Sequence, residues 1–451
     1  MHIRRMAFST VGLAALVNAM MNTSFDAIIV GSGPGAASVT HELSRFGNRV
    51  LVLEKGPGDK IKGTPLQGAS IALIPGKSLL FTQELLALVR GIVYGGSSVL
   101  YYACAFDPPY EMFDSYGIDL RPEVEQTKNE LPIAPLSDDL MGPAAKRIME
   151  SAQDLGHPWH KLPKIVYQEK CRVNCDKCTM GCPYDAKWTS RIYIDEALGR
   201  GSYLMTGSHV ERIVVHAGSA TAVEFTRAGK RHQVTAPVIV LAAGGIGTPL
   251  ILRNSGIAGA GYNFFFDPLI VAMGEVGDIS CGREFPMATG YHDEDEGYVM
   301  TDLVWPRWIF SIFAAEVLRF DRLASHRHTL PIMIKIKDGL SGHLTSRGIV
   351  CKRLDEKDRR KLLRGYERAR HILQNAGAHH IFKTWFMATH PGGTVKIGDL
   401  VDSDLKSELN NLYVCDCSVI PESWGLPPTL TLIALGKRLG RHLATQSGLL
   451  S

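Results

Sequence analysis

Four cysteines are the most concentrated group of reactive side chains in the sequence. They are spaced C-x3-C-x2-C-x3-C and a proline follows the last of them: Cys171, Cys175, Cys178 and Cys182. Such a loop can form disulfides, hold zinc, ligate an iron–sulfur cluster or serve as a metal-free structural turn. The C-x2-C-x3-C-P part has the compact spacing of cluster-binding loops, whereas zinc sites usually combine two separate C-x2-C pairs. We therefore expect a 4Fe–4S cluster first among these alternatives.

A second group with recognisable chemistry is a glycine-rich turn near the start of the chain. Gly31, Gly33 and Ala36 form G-x-G-x-x-A between a predicted buried strand and a predicted helix. There Gly31 permits the turn, Gly33 lets backbone N–H groups reach a pyrophosphate, and Ala36 lets helix and strand pack closely. Glu54 follows the next predicted strand, 49–53, where a carboxylate can accept hydrogen bonds from the ribose of an adenosine. The pattern predicts dinucleotide binding, and the acid at 54 disfavours a 2′-phosphate.

Three later segments offer further contacts for a long cofactor. Gly95-Gly96-Ser97-Ser98 form a second loop of backbone donors, and a predicted strand over 238–243 ends in Gly244-Gly245. Asp416 lies before a proline-rich turn and the last predicted helix. A cofactor contacted from such distant parts of the chain is long, as FAD is.

Together these motifs resemble the glucose–methanol–choline (GMC) oxidoreductases, flavoenzymes that usually oxidise alcohols by hydride transfer to FAD. The matching stretches occur in the family's order: G-S-G-P-G-A at 31–36, Glu54, G-G-S-S at 95–98, L-A-A-G-G-I-G-T-P-L at 241–250, H-P-G-G-T at 390–394, L-Y-V-C-D-C-S-V-I-P at 412–421 and P-P-T-L-T-L at 427–432. The resemblance implies an α/β fold, with a Rossmann-like FAD-binding domain and a second α+β substrate domain built on an antiparallel sheet.

The resemblance also implies a set of FAD-binding residues: Gly31, Gly33, Pro34, Gly35, Ala36, Glu54, Lys55, Gly95, Gly96, Ser97, Ser98, Val210, Ala243, Gly244, Asp416, Cys417, Pro428 and Thr429. Val210 would meet the adenine through its backbone, and Thr429 would open the last helix beside the flavin ring. Family members that attach FAD covalently use a histidine just after the G-G-S-S loop. This chain has Val99-Leu100-Tyr101-Tyr102 there, so we expect non-covalent FAD.

His390 matches the family's histidine near flavin N5, and we expect it to be the catalytic acid–base residue. Hydride leaves an alcohol carbon only as the hydroxyl proton is removed, so a base must lie beside that hydroxyl. The family's second polar residue, Asn or His, falls here on Pro427, which offers no side-chain hydrogen bond. Tyr101, Tyr102 and His292 are candidate substitutes. The proline also motivates an alternative function, reduction or desaturation of a C–C bond, and a third is an electron-transfer flavoprotein subunit.

From the same resemblance we expect an FAD-binding domain over 24–257 with a Cys-rich insert at about 165–190. A substrate domain over 258–385 and a C-terminal return to the first domain over 386–451 complete the organisation. Apolar side chains in the substrate domain favour a medium-to-large apolar alcohol. The apolar segment 306–320 predicts either a buried helix or a helix at a lipophilic substrate mouth or membrane surface. If a cluster is present, electrons would leave singly to a quinone, cytochrome or ferredoxin-like acceptor.

The composition narrows the class of protein further. Apolar residues make up 45% and charged residues 21% of the chain, as in globular proteins, and the net charge is +4. Because no dense Lys/Arg tract carries interleaved aromatics, we expect no nucleic-acid partner. The first residues combine two arginines, an apolar stretch and Val17-Asn18-Ala19, which would pass as a signal-peptidase site. We expect a cytoplasmic protein, with export through a signal ending near Ala19 as the alternative, and no feature indicates membrane association directly.

Overall fold

The computed structural model of the protein describes residues 23–446. The signal sequence predicted to end near Ala19 lies outside the described residues and stays a prediction. The strands are β1 (Ala27–Val30), β2 (Val50–Glu54), β3 (Leu79–Phe81), β4 (Ala87–Val89), β5 (Ile133–Pro135), β6 (His160–Lys161), β7 (Pro163–Ile165), β8 (Tyr203–Thr206), β9 (Ser208–His216), β10 (Ser219–Arg227), β11 (Lys230–Val234), β12 (Val238–Leu241), β13 (Tyr262–Phe264), β14 (Pro268–Glu275), β15 (Thr289–Asp293), β16 (Tyr298–Asp302), β17 (Thr329–Ile336), β18 (Ser341–Leu344), β19 (Val350–Cys351), β20 (His379–Lys383), β21 (Met387–Ala388) and β22 (Leu412–Val414). The α-helices are α1 (Pro34–Arg45), α2 (Pro65–Ala72), α3 (Tyr110–Ser115), α4 (Arg121–Glu130), α5 (Pro143–Asp154), α6 (Arg191–Gly199), α7 (Gly244–Asn254), α8 (Arg307–Glu316), α9 (Glu356–Asn375) and α10 (Thr429–Gln446).

A parallel sheet in the order β22-β12-β1-β2-β8 carries the first glycine turn. Both β1 and β2 are buried along their full length, as is usual for parallel strands covered on both faces. The sequence predicted β2 over 49–53, and the structure places it one residue later, so that Glu54 is its last residue. Because these strands are parallel, the turns that follow β1 and β12 meet at the same edge of the sheet.

A mainly antiparallel sheet has the order β3-β4-β21-β14-β17-β16-β15-β6, with β20 also paired to β14. Side chains of β14 alternate between two hydrophobic clusters, as the two faces of a strand must. Ile270 and Ala272 lie on the face that packs against α9, whereas Val271 and Met273 lie on the other face. Met333 shares this second face, and Lys335 follows it at the same-side position of β17. The predicted fold class, a parallel cofactor-binding sheet with a second antiparallel sheet, is confirmed.

The antiparallel sheet recruits strands from several parts of the chain. Strands β3, β4 and β6 precede residue 258, and β21 follows residue 385. The chain therefore passes more than once between the two sheets. The domain boundaries 24–257, 258–385 and 386–451 remain predictions.

Helix α8 lies at the rim of the molecule. Only Phe310 and Ala314 are buried among its residues, and Ile312 is 50% exposed. The alternative of a buried helix is therefore wrong, because a sequence that is apolar all round does not reveal which side faces the protein. Among the helices within residues 23–446, none is both long and apolar enough to cross a membrane.

Candidate active site

The first glycine turn forms a cradle of the shape that a diphosphate needs. Gly31 has φ +105°, and a Cβ there would overlap the carbonyl oxygen of Ala242, so only glycine fits. Gly33, in contrast, has φ −71°, and a Cβ added to it would meet no atom within 4 Å. Helix α1 begins directly afterwards at Pro34, and the first-turn amides of Gly35 and its neighbour have no intrahelical acceptor. Open space thus lies beside amide donors and the positive end of a helix dipole.

The second glycine loop rests on the first. A Cβ at Gly96 would lie 3.1 Å from the Cα atom of Gly33, which shows how closely the two backbones approach. Gly95 donates its N–H to Ser32 Oγ at 2.9 Å. The hydroxyls of the two following serines brace the loop: Ser97 Oγ accepts the N–H of Gly91 at 3.0 Å, and Ser98 Oγ donates to the Gly95 carbonyl at 2.6 Å. Their backbone amides, not their hydroxyls, are the groups offered to a ligand.

Glu54 connects the two loops at the end of β2. It is buried, accepts a hydrogen bond from Ser32 Oγ, and accepts the Gly56 N–H at 2.6 Å. Burial raises the pKa of its carboxyl, while the hydrogen bonds from Ser32 and Gly56 favour the charged form. A carboxylate has lone pairs beyond these two bonds, so Glu54 retains acceptor capacity for a ribose hydroxyl.

Asp416 connects the turn after β12 to the segment after β22 in a similar way. Its Oδ2 accepts the Gly244 N–H at 2.7 Å and the Thr248 hydroxyl at 2.5 Å, and its Oδ1 accepts the Ser418 N–H at 2.8 Å. Burial raises the pKa of Asp416 against these hydrogen bonds. Gly244 has φ +79°, and a Cβ there would meet nothing within 4 Å, as at Gly33. A second open space therefore lies at the turn after β12, beside the predicted contact residue Ala243.

Basic side chains that the sequence analysis missed gather near Lys55. Lys55 Nζ lies 3.3 Å from His209 Nε2, beside the predicted adenine contact Val210. Burial lowers the pKa of Lys55, and the positive charges of Arg90 and Lys77 lower it further. Burial alone lowers the pKa of Arg90 to about 10. Cations grouped in this way suit a polyanion, so the donors, open spaces and charges of the cradle fit a dinucleotide.

His390 is anchored through one ring nitrogen. Its Nδ1 lies 3.1 Å from Asp267 Oδ2, 3.4 Å from Lys335 Nζ and 3.4 Å from Thr389 Oγ1. In the described part of the chain all polar contacts of the ring are made at Nδ1, so Nε2 is the nitrogen available to a substrate. The side chain is 29% exposed, whereas Asp267 and Lys335 are buried. Cys417 contacts the backbone of His390, with Sγ 3.7 Å from the His390 carbonyl oxygen.

The electrostatics around His390 favour a neutral imidazole. Burial and the adjacent Lys335 ammonium hold the pKa of His390 well below its ordinary value. Burial raises the pKa of Asp267, whereas the adjacent Lys335 ammonium and the Gly425 N–H stabilise its carboxylate form. Burial likewise lowers the pKa of Lys335, against the attraction of Asp267. The site thus presents an unprotonated ring nitrogen at neutral pH, which is what a general base requires.

The three candidates to replace the family's second polar residue have other partners. Tyr101 donates to the Trp188 carbonyl at 2.9 Å, and the Tyr102 hydroxyl meets Trp305 Nε1 at 3.2 Å. His292 lies 3.7 Å from Glu294. Within residues 23–446, no hydrogen bond or ion pair joins any of them to His390, and the polar neighbours of this histidine are the buried pair described above.

Those buried neighbours carried a signal in the sequence. Lys335 is the single charge in the apolar strand T-L-P-I-M-I-K-I, and Asp267 follows three consecutive phenylalanines. A charge in so apolar a setting is rarely buried without a partner or a role. The last predicted contacts, Pro428 and Thr429, are buried at the start of α10, directly after Pro427.

The cysteine loop lies beside the end of the second glycine loop, where Gly181 packs against Val99. Its four thiols are unpaired, and burial raises the pKa of Cys178 to about 12. Lys187 is buried and donates to the carbonyls of Val99 at 2.9 Å, Tyr101 at 2.6 Å and Cys178 at 2.8 Å. Within residues 23–446, no three His, Cys, Asp or Glu side chains converge on one point as ligands of a single metal ion do. The iron–sulfur cluster therefore stays a prediction.

A surface cleft of about 490 Å³ separates this cysteine loop from helix α8. Asp176, Lys177 and Met180 line one wall, and Arg307 and Trp308 line the other. None of the residues around His390 borders the cleft. The cleft is therefore separate from His390 and its polar neighbours.

A dinucleotide cradle on a parallel sheet, beside an antiparallel sheet that presents a histidine, is the arrangement of a dinucleotide-dependent oxidoreductase. The chain belongs to the GMC oxidoreductase family, whose N-terminal model matches residues 25–269 and whose C-terminal model matches residues 351–436. The family prediction made from the motifs is thereby confirmed.

Individual relatives are similar over nearly the whole chain. An uncharacterized protein of Methanocaldococcus jannaschii is 26% identical, over 93% of this chain and 100% of that protein. A long-chain-alcohol oxidase of Arabidopsis thaliana is 22% identical, over 93% of this chain and 68% of that enzyme. Among solved structures, pyridoxine 4-oxidase from Mesorbium loti is 18% identical with a TM-score of 0.73, covering 93% of this chain and 99% of that one. At this identity the structural likeness establishes the fold.

Proposed function

We propose that this protein oxidises the CH–OH group of a medium-to-large apolar alcohol, with His390 accepting the hydroxyl proton. The observation that carries the proposal is the environment of the His390 ring. Nδ1 is held by Asp267 at 3.1 Å, Nε2 has no hydrogen-bond partner among the described residues, and the side chain is 29% exposed. FAD, when bound, supplies the hydride acceptor in this family.

The residues of the chain divide the work as follows. His390 Nε2 receives the proton of the substrate hydroxyl, which allows the carbinol carbon to release hydride. The predicted FAD-binding residues hold the cofactor without a covalent bond, and those in the glycine turns do so through backbone amides. Gly33, Gly244 and Glu54 are the positions where open space or spare acceptor capacity supports this assignment.

The apolar class of the substrate is supported by the lining of the antiparallel sheet. The face that carries Lys335 has four methionines packed with aromatic side chains: Met273, Met287, Met333 and Met387. Methionine is flexible and polarisable, so such a wall adapts to an extended hydrocarbon better than to a sugar. The Arabidopsis relative named as a long-chain-alcohol oxidase agrees with this substrate class.

The substrate class can be tested by anaerobic titration of the FAD-loaded protein with dodecanol and with glucose. We expect dodecanol to bleach the flavin and to yield one equivalent of aldehyde per flavin reduced, while glucose leaves the flavin oxidised. Reduction by glucose and not by dodecanol would contradict the apolar class. Reduction by neither, across a panel of alcohols of increasing length, would contradict alcohol oxidation itself.

We further propose that the electrons leave through a 4Fe–4S cluster held by Cys171, Cys175, Cys178 and Cys182, which would supply single-electron transfer to an external acceptor. The supporting observation is Lys187. Within the described residues its buried ammonium has carbonyl partners but no carboxylate, and the acidic groups that raise its pKa are the thiols of Cys178 and Cys182. A buried cation without a counter-charge is costly, and cluster thiolates would supply one.

Metal analysis tests the cluster directly. Protein produced and purified without oxygen is expected to contain about four iron and four sulfide per chain. Cys178→Ser should lower both, whereas Cys351→Ser, which changes a cysteine outside the loop, should lower neither. Stoichiometric zinc, or four free thiols without metal, would contradict the cluster and leave the loop as scaffold.

A further inference from the structure

We propose that Asp267 and Lys335 are positioning residues for His390: the carboxylate keeps the proton on Nδ1 and the lone pair on Nε2, and the ammonium disfavours a second proton on the ring. This inference rests on the proposed function, because it assigns how the general base is prepared. It also accounts for Pro427 in place of a second polar side chain, because the tautomer and protonation of His390 are set by the residues that contact Nδ1.

Asp267 is fixed in place by contacts on both sides. Its Oδ1 accepts the Gly425 N–H at 2.8 Å, which leaves Oδ2 to face His390 Nδ1 at 3.1 Å. Its own N–H donates to Asp338 Oδ1 at 3.0 Å, and Asp338 is paired at 2.8 Å with Lys352, both fully buried. A carboxylate that cannot turn away selects the tautomer in which Nδ1 carries the proton.

Lys335 adds a positive charge on the same side of the ring. Its Nζ lies 3.6 Å from Asp267 Oδ2 and 3.4 Å from His390 Nδ1, and the residue is almost fully buried on β17. An ammonium so close to Nδ1 disfavours a second proton on the imidazole in the resting site. Asp267 has the opposite effect, since a carboxylate favours the imidazolium that forms when Nε2 takes the substrate proton.

The groups that face the ring can be counted from each packed element. The loop before β14 contributes Asp267 and β17 contributes Lys335, whereas Cys417, in the segment after β22, contacts the backbone carbonyl of His390 and not its ring. Thr389, the preceding residue, adds a neutral hydroxyl at 3.4 Å. Removing the ammonium and removing the carboxylate should therefore move the titration of His390 in opposite directions, which a purely structural role would not do.

The test is nitrogen NMR of the FAD-loaded protein with 15N-labelled histidine, in which the His390 signals are those missing from His390→Gln. We expect the wild-type ring to be the neutral Nδ1–H tautomer at neutral pH. Lys335→Met should raise the titration midpoint by about one pH unit or more, the usual effect of a charge at this distance. Asp267→Asn should lower the midpoint and populate the Nε2–H tautomer. Equal midpoints in all three proteins, or shifts in the same direction, would overturn the inference.

Two further variants separate positioning from loss of folding. The double variant Asp267→Asn/Lys335→Met leaves no uncompensated buried charge, and its midpoint should lie between those of the single variants. Lys437→Met removes another fully buried lysine, which is paired with Glu130 and contacts neither Asp267 nor His390, so its midpoint should match wild type. A shift in Lys437→Met as large as in Lys335→Met would also overturn the inference. Because no substrate is used, failure of alcohol oxidation leaves this result readable.

Discussion

The backbone N–H of Gly425 donates a hydrogen bond of 2.8 Å to Oδ1 of Asp267, the carboxylate whose other oxygen faces His390. The hydrogen bond joins the main chain of the proline-rich turn before α10 to the Asp267 side chain, and through it to His390, the proposed general base. Pro427 follows Gly425 by two residues, at the place where the family has Asn or His. The turn therefore helps to orient the carboxylate that faces His390, although the Pro427 side chain has no hydrogen-bonding group.

Replacing His390 is expected to stop chemistry while leaving the cofactor bound. His390→Gln removes the proton acceptor, so flavin reduction by dodecanol under anaerobic conditions should slow by ~10²-fold or more. The visible flavin spectrum and FAD content should match wild type. His160→Gln changes an exposed histidine remote from the site and serves as the control. Unchanged reduction in His390→Gln would remove this residue from the mechanism.

Two alanine substitutions in the first glycine turn should have different consequences. Gly33→Ala places a methyl group in open space at an ordinary φ, so the protein should fold normally but bind FAD weakly. Gly31→Ala forces an alanine to φ +105° and against the Ala242 carbonyl, so it should lower the melting temperature of the apoprotein. Thermal melts with and without FAD distinguish the two effects. Equal FAD affinity in Gly33→Ala and wild type would show that the cofactor does not occupy this space.

The lowered pKa of His390 predicts the pH dependence of the reaction. The base must be unprotonated, so the rate rises with pH through its pKa and is already maximal above it. Because burial and Lys335 hold that pKa well below 6.5, flavin reduction should be constant around neutrality and decline only on acidification below about pH 6.5. Anaerobic rates across a pH series give the profile. A decline that begins above neutrality would contradict the assignment.

The flavin should be released by denaturation. Val99-Leu100-Tyr101-Tyr102 follow the second glycine loop and include no histidine for a covalent link. Acid precipitation should therefore leave FAD in the supernatant and a colourless pellet. Flavin that remains with the pellet would show a covalent bond.

The cofactor side of the site could be predicted from sequence because each part is local. Gly31, Gly33 and Glu54 lie within one strand–turn–helix–strand unit whose spacing fixes their geometry. The structure adds what spacing cannot express: the Ser32 hydroxyl links Glu54 to Gly95, a residue far along the chain.

The groups behind His390 could not be predicted in the same way. Asp267 and Lys335 reach it only through the pairing of β14 with β17 and the return of the chain after β20. A lysine within an apolar strand indicates a buried charge that needs a partner, but which residue is the partner depends on strand register. The expectation that helix α8 is buried was wrong for a related reason, since apolar composition does not determine which side of a helix is covered.

The central claim is that hydride leaves a carbinol carbon as His390 takes the hydroxyl proton. The most direct measurement is the anaerobic rate of flavin bleaching by dodecanol and by dodecanol carrying deuterium on the carbinol carbon. Breaking that C–H bond in the rate-determining step predicts clearly slower bleaching by the deuterated alcohol, with aldehyde as the product. Equal rates under conditions where binding is fast, or a flavin that stays oxidised with every alcohol tried, would contradict the claim.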